Sequence, residues 1–292
     1  MYRSLLQAWL RNVAKEKVRD SVVRAAREKF AETTPKNTPA EERKPCQLGV
    51  VFALGIESGG FEDVLDGMVT TGGGGFVIRE GGLKGRRVVV ILSEAGRRNA
   101  ARATEILIEG HRPRRVVSAG LAGGLSPELK RNDILVADRL LSIDGGDMPI
   151  ALPPALSAAS LQPDVHRGTL LTVDRMVRLP SDKKSLFQQH SASAVDMETF
   201  AVAEVCRRLQ VPFSSVRVIN DTAEDTLPHD VEHLLEQKSG AARLGAAVGA
   251  VWHRPASLKD MYQLRENALV ASDRLAKFIA DTTFDVEESN ES

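Results

Sequence analysis

From residue 48 onward the chain alternates short apolar runs with amphipathic stretches, and this alternation sets the expected fold. LGVVFAL at 48–54 is an uninterrupted apolar run of strand length, suited to a strand buried on both faces. A helix through Phe61, Val64, Leu65 and Met68 follows. The glycine run at 72–75 reads as a loop between that helix and a strand at 76–78. Further strands are expected at 86–93 (RRVVVILS), 114–120 (RRVVSAG), 133–140 (DILVADRL), 168–174 (GTLLTVD), 193–196 (SAVD) and 212–219 (PFSSVRVI). Helices are expected at 97–109, 182–190 and 197–209 between them, and at 231–252 and 258–280 beyond. Residues 144–164, rich in Gly, Pro, Ala and Ser, read as a long loop. Alternation of this kind predicts an α/β fold: a three-layer α/β/α sandwich whose central mixed sheet is mostly parallel.

Ahead of this domain, Leu5, Leu6, Trp9, Leu10, Val13, Val18, Val22 and Val23 recur at roughly helical intervals among many Lys and Arg. They predict a basic amphipathic helix over 1–30, joined by a polar, Pro-containing linker over 31–46 to a domain at 47–228. Residues 229–292 are expected to form a C-terminal helical extension packed on that domain. The first helix reads as a solvated or oligomer-covering element. Its basic amphipathic character also allows weak contact with a membrane surface.

Lys+Arg and Asp+Glu both total 39, so the net charge is zero and nothing global points to a nucleic-acid partner. The 292 residues have ample length to bury a full core. Cys46 and Cys206 make no CxxC and no metal-spaced cluster, which argues against a disulfide framework and for a reducing compartment. No apolar run is long enough to cross a bilayer, and Arg3, Gln7 and Arg11 interrupt the first apolar residues. A cytoplasmic location is the expectation.

The chemistry concentrates in 195–228, VDMETFAVAEVCRRLQVPFSSVRVINDTAEDTLP. Asp196 and Glu198 stand at the mouth of a predicted helix, and Asp221 just past the strand that follows it. In α/β folds, ligands bind beyond the C-terminal ends of strands. Two other segments are of the same type: GVVFALGIES, with Glu57 just beyond its strand, and SAGLAGGL (118–125), read as a glycine-rich turn whose backbone amides can approach a ligand. Carboxylates at two such stations suit cleavage of a glycosidic bond: one can hold a polyol and another can protonate a leaving group. Each acid also has a plainer reading. Glu57 and Glu198 at helix starts favour the macrodipole, Asp196 can cap its helix, and Asp221 can be an ordinary turn residue. His229 and His233, four apart, lack the glutamate placement of HExxH and a third ligand, so no metal site is expected.

Taken together and in this order, the turn to Glu57, the alanine-rich helix after Gly96, SAGLAGGL, VDME and VRVIND resemble the nucleoside phosphorylase/nucleosidase superfamily. The likeness is nearest to 5'-methylthioadenosine/S-adenosylhomocysteine nucleosidases and hopanoid-associated nucleosidase-like proteins, over about 47–228. The resemblance implies a nucleoside phosphorylase-like fold and a set of roles. By it, Glu57 activates water and Asp221 protonates N7 of a purine. Glu198 holds the ribose 2'- and 3'-hydroxyls with Met197 beside the sugar, and Arg217 orients Glu198. Met176 and Val177 offer an apolar shelf and a backbone contact for the base, and Ala122 and Gly123 line the substrate. It implies hydrolysis of a 5'-substituted adenosine, methylthioadenosine-like, adenosylhomocysteine-like or lipid-linked, by a homodimer without metal or organic cofactor. The rival readings are a purine nucleoside phosphorylase and a non-catalytic nucleoside-binding protein.

Three departures bear on the substrate. LGIESGG carries no arginine, and positions 118 and 121 are Ser and Leu where phosphorylases place phosphate contacts, which favours water as nucleophile. Arg97 and Arg98 are the only nearby cations able to replace such contacts. Asn220 stands where a serine commonly precedes the catalytic Asp.

Overall fold

The computed structural model describes residues 46–159, 162–228 and 256–282. The expected helix at 1–30, the linker except its last residue, and the expected helix at 231–252 lie outside them. The elements are β1 (Leu48–Phe52), α1 (Gly55–Asp63), β2 (Asp66–Gly73), β3 (Phe76–Leu83), β4 (Arg86–Leu92), α2 (Arg97–His111) and β5 (Val116–Gly124). There follow β6 (Ile134–Ser142), β7 (Asp147–Pro149), α3 (Pro154–Ala159), β8 (Val165–Thr172), α4 (Pro180–His190), β9 (Ala194–Asp196), α5 (Thr199–Arg208), β10 (Phe213–Asp221) and α6 (Ala256–Asp281).

Ten strands form one mixed sheet. At its centre β10, β5, β1 and β4 run parallel, and β3 and β2 extend it antiparallel. On the other side β10 pairs with β6, β6 with β8, β8 with β9, and β9 returns to β5. Five strands therefore close into a ring, and β5 and β10 belong both to the ring and to the open sheet. Ring closure leaves these two strands without a free edge.

Period-two alternation along β1 sorts its side chains between the two helical layers. Leu48, Val50 and Phe52 join Phe61 of α1 and Ala271, Leu275 and Ile279 of α6 in one buried cluster. Val51 faces the other way, with Ala103 and Leu107 of α2 and Val202 and Val205 of α5. Inside the ring, Leu135, Leu140, Leu170, Ala194 and Ile219 pack with Phe200. The three-layer arrangement expected from the alternation is present, with one end of its sheet curled shut. Both cysteines are free and buried, and burial pushes the Cys46 and Cys206 thiols up to about 11 and about 12. Among the described residues no helix is long and apolar enough to cross a membrane.

Four local expectations are corrected. Met68 lies on strand β2, not on the helix, which stops at Asp63. The glycine run at 72–75 is no helix-to-strand loop: Gly72 and Gly73 end β2, and Gly74 and Gly75, at φ of 59° and 95°, make the turn of the β2–β3 hairpin. Two consecutive positive φ values give the tight turn whose twist matches its strands, and glycine takes them at least cost. SAGLAGGL is not a turn: β5 continues to Gly124, pairing with β10 and then β9, because its small residues let neighbouring groups close in on the backbone. The stretch at 144–164 contains β7 and α3.

Leu275 on α6 is fully buried in the cluster that covers β1 and β5. Leu275→Ala should cost about 2–5 kcal/mol in urea unfolding, because it leaves a cavity in a packed layer. A loss within about 0.5 kcal/mol, the range of surface substitutions, would show that α6 is not part of the core.

Candidate active site

Arg217 interrupts an apolar strand, and its side chain is only 3% exposed. A guanidinium taken out of water needs hydrogen-bond partners; here they gather on one nitrogen, and Nε is buried without one among the described residues. Its Nη2 donates to Asp196 Oδ2 (2.7 Å), Thr199 Oγ1 (2.6 Å) and Ser118 Oγ (3.0 Å). Asp196, at the end of β9, also accepts from Thr172 Oγ1 (2.7 Å), from the Thr199 hydroxyl and from the Thr199 amide (3.0 Å). Asp196 thereby satisfies the first free amide of α5 from two residues ahead of its N-cap, Glu198. It is also the counter-ion of Arg217.

The far side of Arg217 meets Glu57 across Gly120. A Cβ at position 120 would lie 2.9 Å from Glu57 Oε1 and closer still to the Arg217 guanidinium. Only a residue without a side chain lets the acid and the base approach the strand together. Glu57, in the first turn of α1, accepts from the Leu54 amide at Oε2 (2.8 Å) and the Leu121 amide at Oε1 (3.0 Å). Burial pushes its pKa up, while Arg217 and the two amides pull it down.

Glu198 opens α5. Its Oε1 accepts from the amide of Gly96, which caps α2, at 2.8 Å, and its Oε2 from the Met197 amide at 3.3 Å. Burial above all, then the Asp196 carboxylate, raise its pKa to about 7 against the Gly96 amide and Arg217. Glu57 adds to the rise, so the two acids feel each other's charge. The expectation that Arg217 orients Glu198 is corrected. The hydrogen bonds of Arg217 go to Asp196, Thr199 and Ser118, and Glu198 is held by backbone amides instead. Asp196 occupies the guanidinium because it ends the strand beside β5, whereas Glu198, two residues on, has turned toward α2.

Asp221 is the last residue of β10, and its register shifts by one residue at Asn220. Such a bulge re-aims the side chain at a strand end. Its Oδ2 accepts from Lys183 Nζ at 2.6 Å. Burial raises its pKa, and the Lys183 ammonium opposes that rise. Gly123 faces it: a Cβ there would lie 3.2 Å from Oδ2. Ala122 is buried inside the ring. Val177 and Met197 pack at the margin of one apolar cluster with Leu171, Val173 and Val195, and Met176 is half-buried beside them.

Sequence reasoning missed Lys183, which looks solvated within SDKKS. One signal was available. Lys183 stands three and four residues before Leu186 and Phe187, on the face by which α4 packs. Arg97 is committed elsewhere, to Asp144 (2.6 Å), Asp174 (3.0 Å) and the Thr172 carbonyl (2.9 Å). Among the described residues no group of three or more His, Cys, Asp or Glu is placed to hold a metal.

The structure thus gathers Glu57, Asp196, Glu198 and Arg217 around the middle of β5, with Asp221 three residues further along at Gly123. That is a separation of about 10 Å along the strand. A model of the phosphorylase superfamily matches residues 48–251. The chain belongs to that superfamily. It is similar to the 5'-methylthioadenosine/S-adenosylhomocysteine nucleosidase of Tolumonas auensis, at 26% identity over 212 residues covering 65% of this chain and 92% of the relative. The enzyme of the same description from Bacillus thuringiensis is 27% identical over 214 residues, with the same coverage. Among solved structures, the Helicobacter pylori 5'-methylthioadenosine/S-adenosylhomocysteine nucleosidase with butyl-thio-DADMe-Immucillin-A superposes with a TM-score of 0.64 at 21% identity, covering 81% of this chain and 97% of that one. Futalosine hydrolase of the same organism gives 0.61 at 21%, covering 80% and 95%. These structures share the fold.

Glu198 binds a proton more tightly folded than unfolded, so between about pH 4.5 and 7 the native state carries more protons and stability falls as pH rises. Glu198→Gln removes this term while keeping an acceptor for the Gly96 amide. It should stabilise the protein at pH 8 by on the order of 1–2 kcal/mol and leave it little changed at pH 4.5. Thermal melts at both pH values check this; an equal shift at the two would contradict the assignment.

Proposed function

We propose that this protein is a purine nucleoside N-glycosidase that hydrolyses the N-ribosidic bond of a 5'-substituted adenosine. One observation carries the reading: Glu57 and Glu198 are buried within the field of one guanidinium, and Asp221, paired with a lysine, lies at Gly123 on the strand whose Leu121 amide holds Glu57. A ribose with its base attached can bridge them. The names of the similar curated proteins agree with nucleoside hydrolysis.

In this reading Asp221, whose proton is favoured by burial, gives it to N7 of the purine. The C1'–N9 bond breaks, and its electron pair stays with the departing base. Positive charge develops on the ribose, where Glu198 under the sugar hydroxyls stabilises it. Water adds its oxygen to C1' and passes a proton to Glu57, which must be ionised to take it. Arg217 and the Leu54 and Leu121 amides favour that ionised form against the cost of burial. In this reading water rather than phosphate is the nucleophile: Arg97 is already paired with two aspartates and a carbonyl, and Arg98 is exposed to solvent. The apolar margin of Val177 and Met197 suits the base and sugar. A homodimer and a cytoplasmic location belong to the same proposal.

Free-base release from a panel of 5'-substituted adenosines and inosine, in phosphate-free buffer, tests the reading. Release should proceed without phosphate and should not accelerate when phosphate is added. Glu57→Gln and Asp221→Asn should each lower kcat by at least about 10²-fold, the usual contribution of a positioned acid or base. Release that depends on phosphate would make the enzyme a phosphorylase. Unchanged rates in both variants would remove these residues from the chemistry.

A further inference from the structure

Lys183 is the one lysine among the fully buried side chains of the described residues, with no exposed surface at all. An ammonium in such a place must spend all three of its N–H groups. It does so on Asp221 Oδ2 (2.6 Å), the Thr222 carbonyl (2.6 Å) and the Asp225 carbonyl (3.0 Å). The two carbonyls belong to the turn that leaves β10, and that turn is fastened again from its own side. Asp225 Oδ2 accepts from the Thr222 amide (2.8 Å), the Thr222 hydroxyl (3.0 Å) and Arg131 (2.7 Å). One lysine on α4 therefore fixes both the carboxylate and the backbone that carries it. Among the described residues every hydrogen bond to the Asp221 carboxylate reaches Oδ2.

We propose that Lys183 is a positioning residue for the acid of the glycosidic reaction: it clamps Oδ2 of Asp221, closes the turn at 222–225 beneath it, and leaves Oδ1 to face the purine. This rests on the reading of Asp221 given above and extends it to a residue outside the acid set. A fixed ammonium also acts on the reaction itself. When Asp221 gives up its proton, negative charge appears on a buried carboxylate, and Lys183 stabilises that charge where no solvent can. Among the described residues, the charged groups acting most strongly on Asp221 are Lys183 from α4, Asp225 from the turn and Arg131 from the segment before β6. Lys183 and Arg131 favour the carboxylate, Asp225 disfavours it, and Lys183 is the strongest of them.

Asp221 must be protonated to act, so activity is lost as pH rises through its pKa. Removing the ammonium makes Asp221 hold its proton to higher pH, so the alkaline limb of kcat/KM moves upward. The experiment is the pH profile of free-base release for wild type, Lys183→Met, Lys183→Gln and Lys183→Arg, with Asp221→Asn alongside. In either neutral variant the alkaline limb should rise by about one unit or more, the size of effect a neighbouring charge has on a carboxyl group. The plateau kcat should fall by about 10²-fold from the loss of fixed geometry. Lys183→Arg keeps the charge and should keep the wild-type limb. Lys183→Gln can still donate to the turn carbonyls and serves if Lys183→Met does not fold.

A limb that stays at the wild-type pH in a folded neutral variant overturns the proposal, because a lysine with a purely structural role would lower stability without moving it. A limb that shifts equally in Lys183→Arg overturns it too. The two readings fail separately. Asp221→Asn with full activity sinks the acid assignment itself, whereas an inactive Asp221→Asn beside an unshifted Lys183→Met sinks only the role of Lys183.

Discussion

The buried pair of Arg217 and Asp196 is the constraint on which the site depends. Neither group has appreciable access to water, and breaking such a pair by removing one member strands a charge, at a cost of about 3–5 kcal/mol. The pair also joins parts of the chain that are distant in sequence. Through it, β10 is tied to the end of β9, to the first residue of α5 and, by Ser118, to the middle of β5. Ring closure by these strands brings the partners within reach, and the guanidinium then fixes their register. Fold and site are here the same set of contacts.

Around that pair the acids divide by their surroundings. Glu57 and Glu198 lie where burial favours the proton while a shared guanidinium and backbone amides favour the charge. Small changes in the site can therefore shift which of them is ionised. Asp221 sits apart, opposite Gly123, with its own cation. Carboxyl groups in different surroundings are one means by which a site separates an acid from a base.

Much of this was legible in the residue pattern, for identifiable reasons. The strands of the parallel centre are continuous Val- and Ile-rich runs, and burial on both faces leaves that signature. Glu57, Glu198 and Asp221 each follow or end a strand, where α/β folds place their ligands. What could not be read depended on contacts between distant segments. The closing of the ring rests on the pairing of β5 with both β9 and β10 and has no local pattern. SAGLAGGL looked like a turn because glycines commonly mark one, whereas here their small size admits Arg217 and Asp221 against a strand. The partner of Arg217 was assigned to the wrong acid, since Asp196 and Glu198 differ by two positions and only the three-dimensional course of β9 separates them. Lys183 carries a charge, and only the helical spacing to Leu186 and Phe187 argued for burial.

Glu57 and Glu198 share one site, close enough for the charge of one to add to the proton affinity of the other. Titration of the Glu198 carboxyl carbon by NMR, in wild type and in Glu57→Gln, measures that coupling without any substrate. The wild-type midpoint should stand near 7 and should fall when Glu57 is made neutral, because a repelling charge has been removed. An identical midpoint in the two proteins would mean that the acids do not face a common ligand.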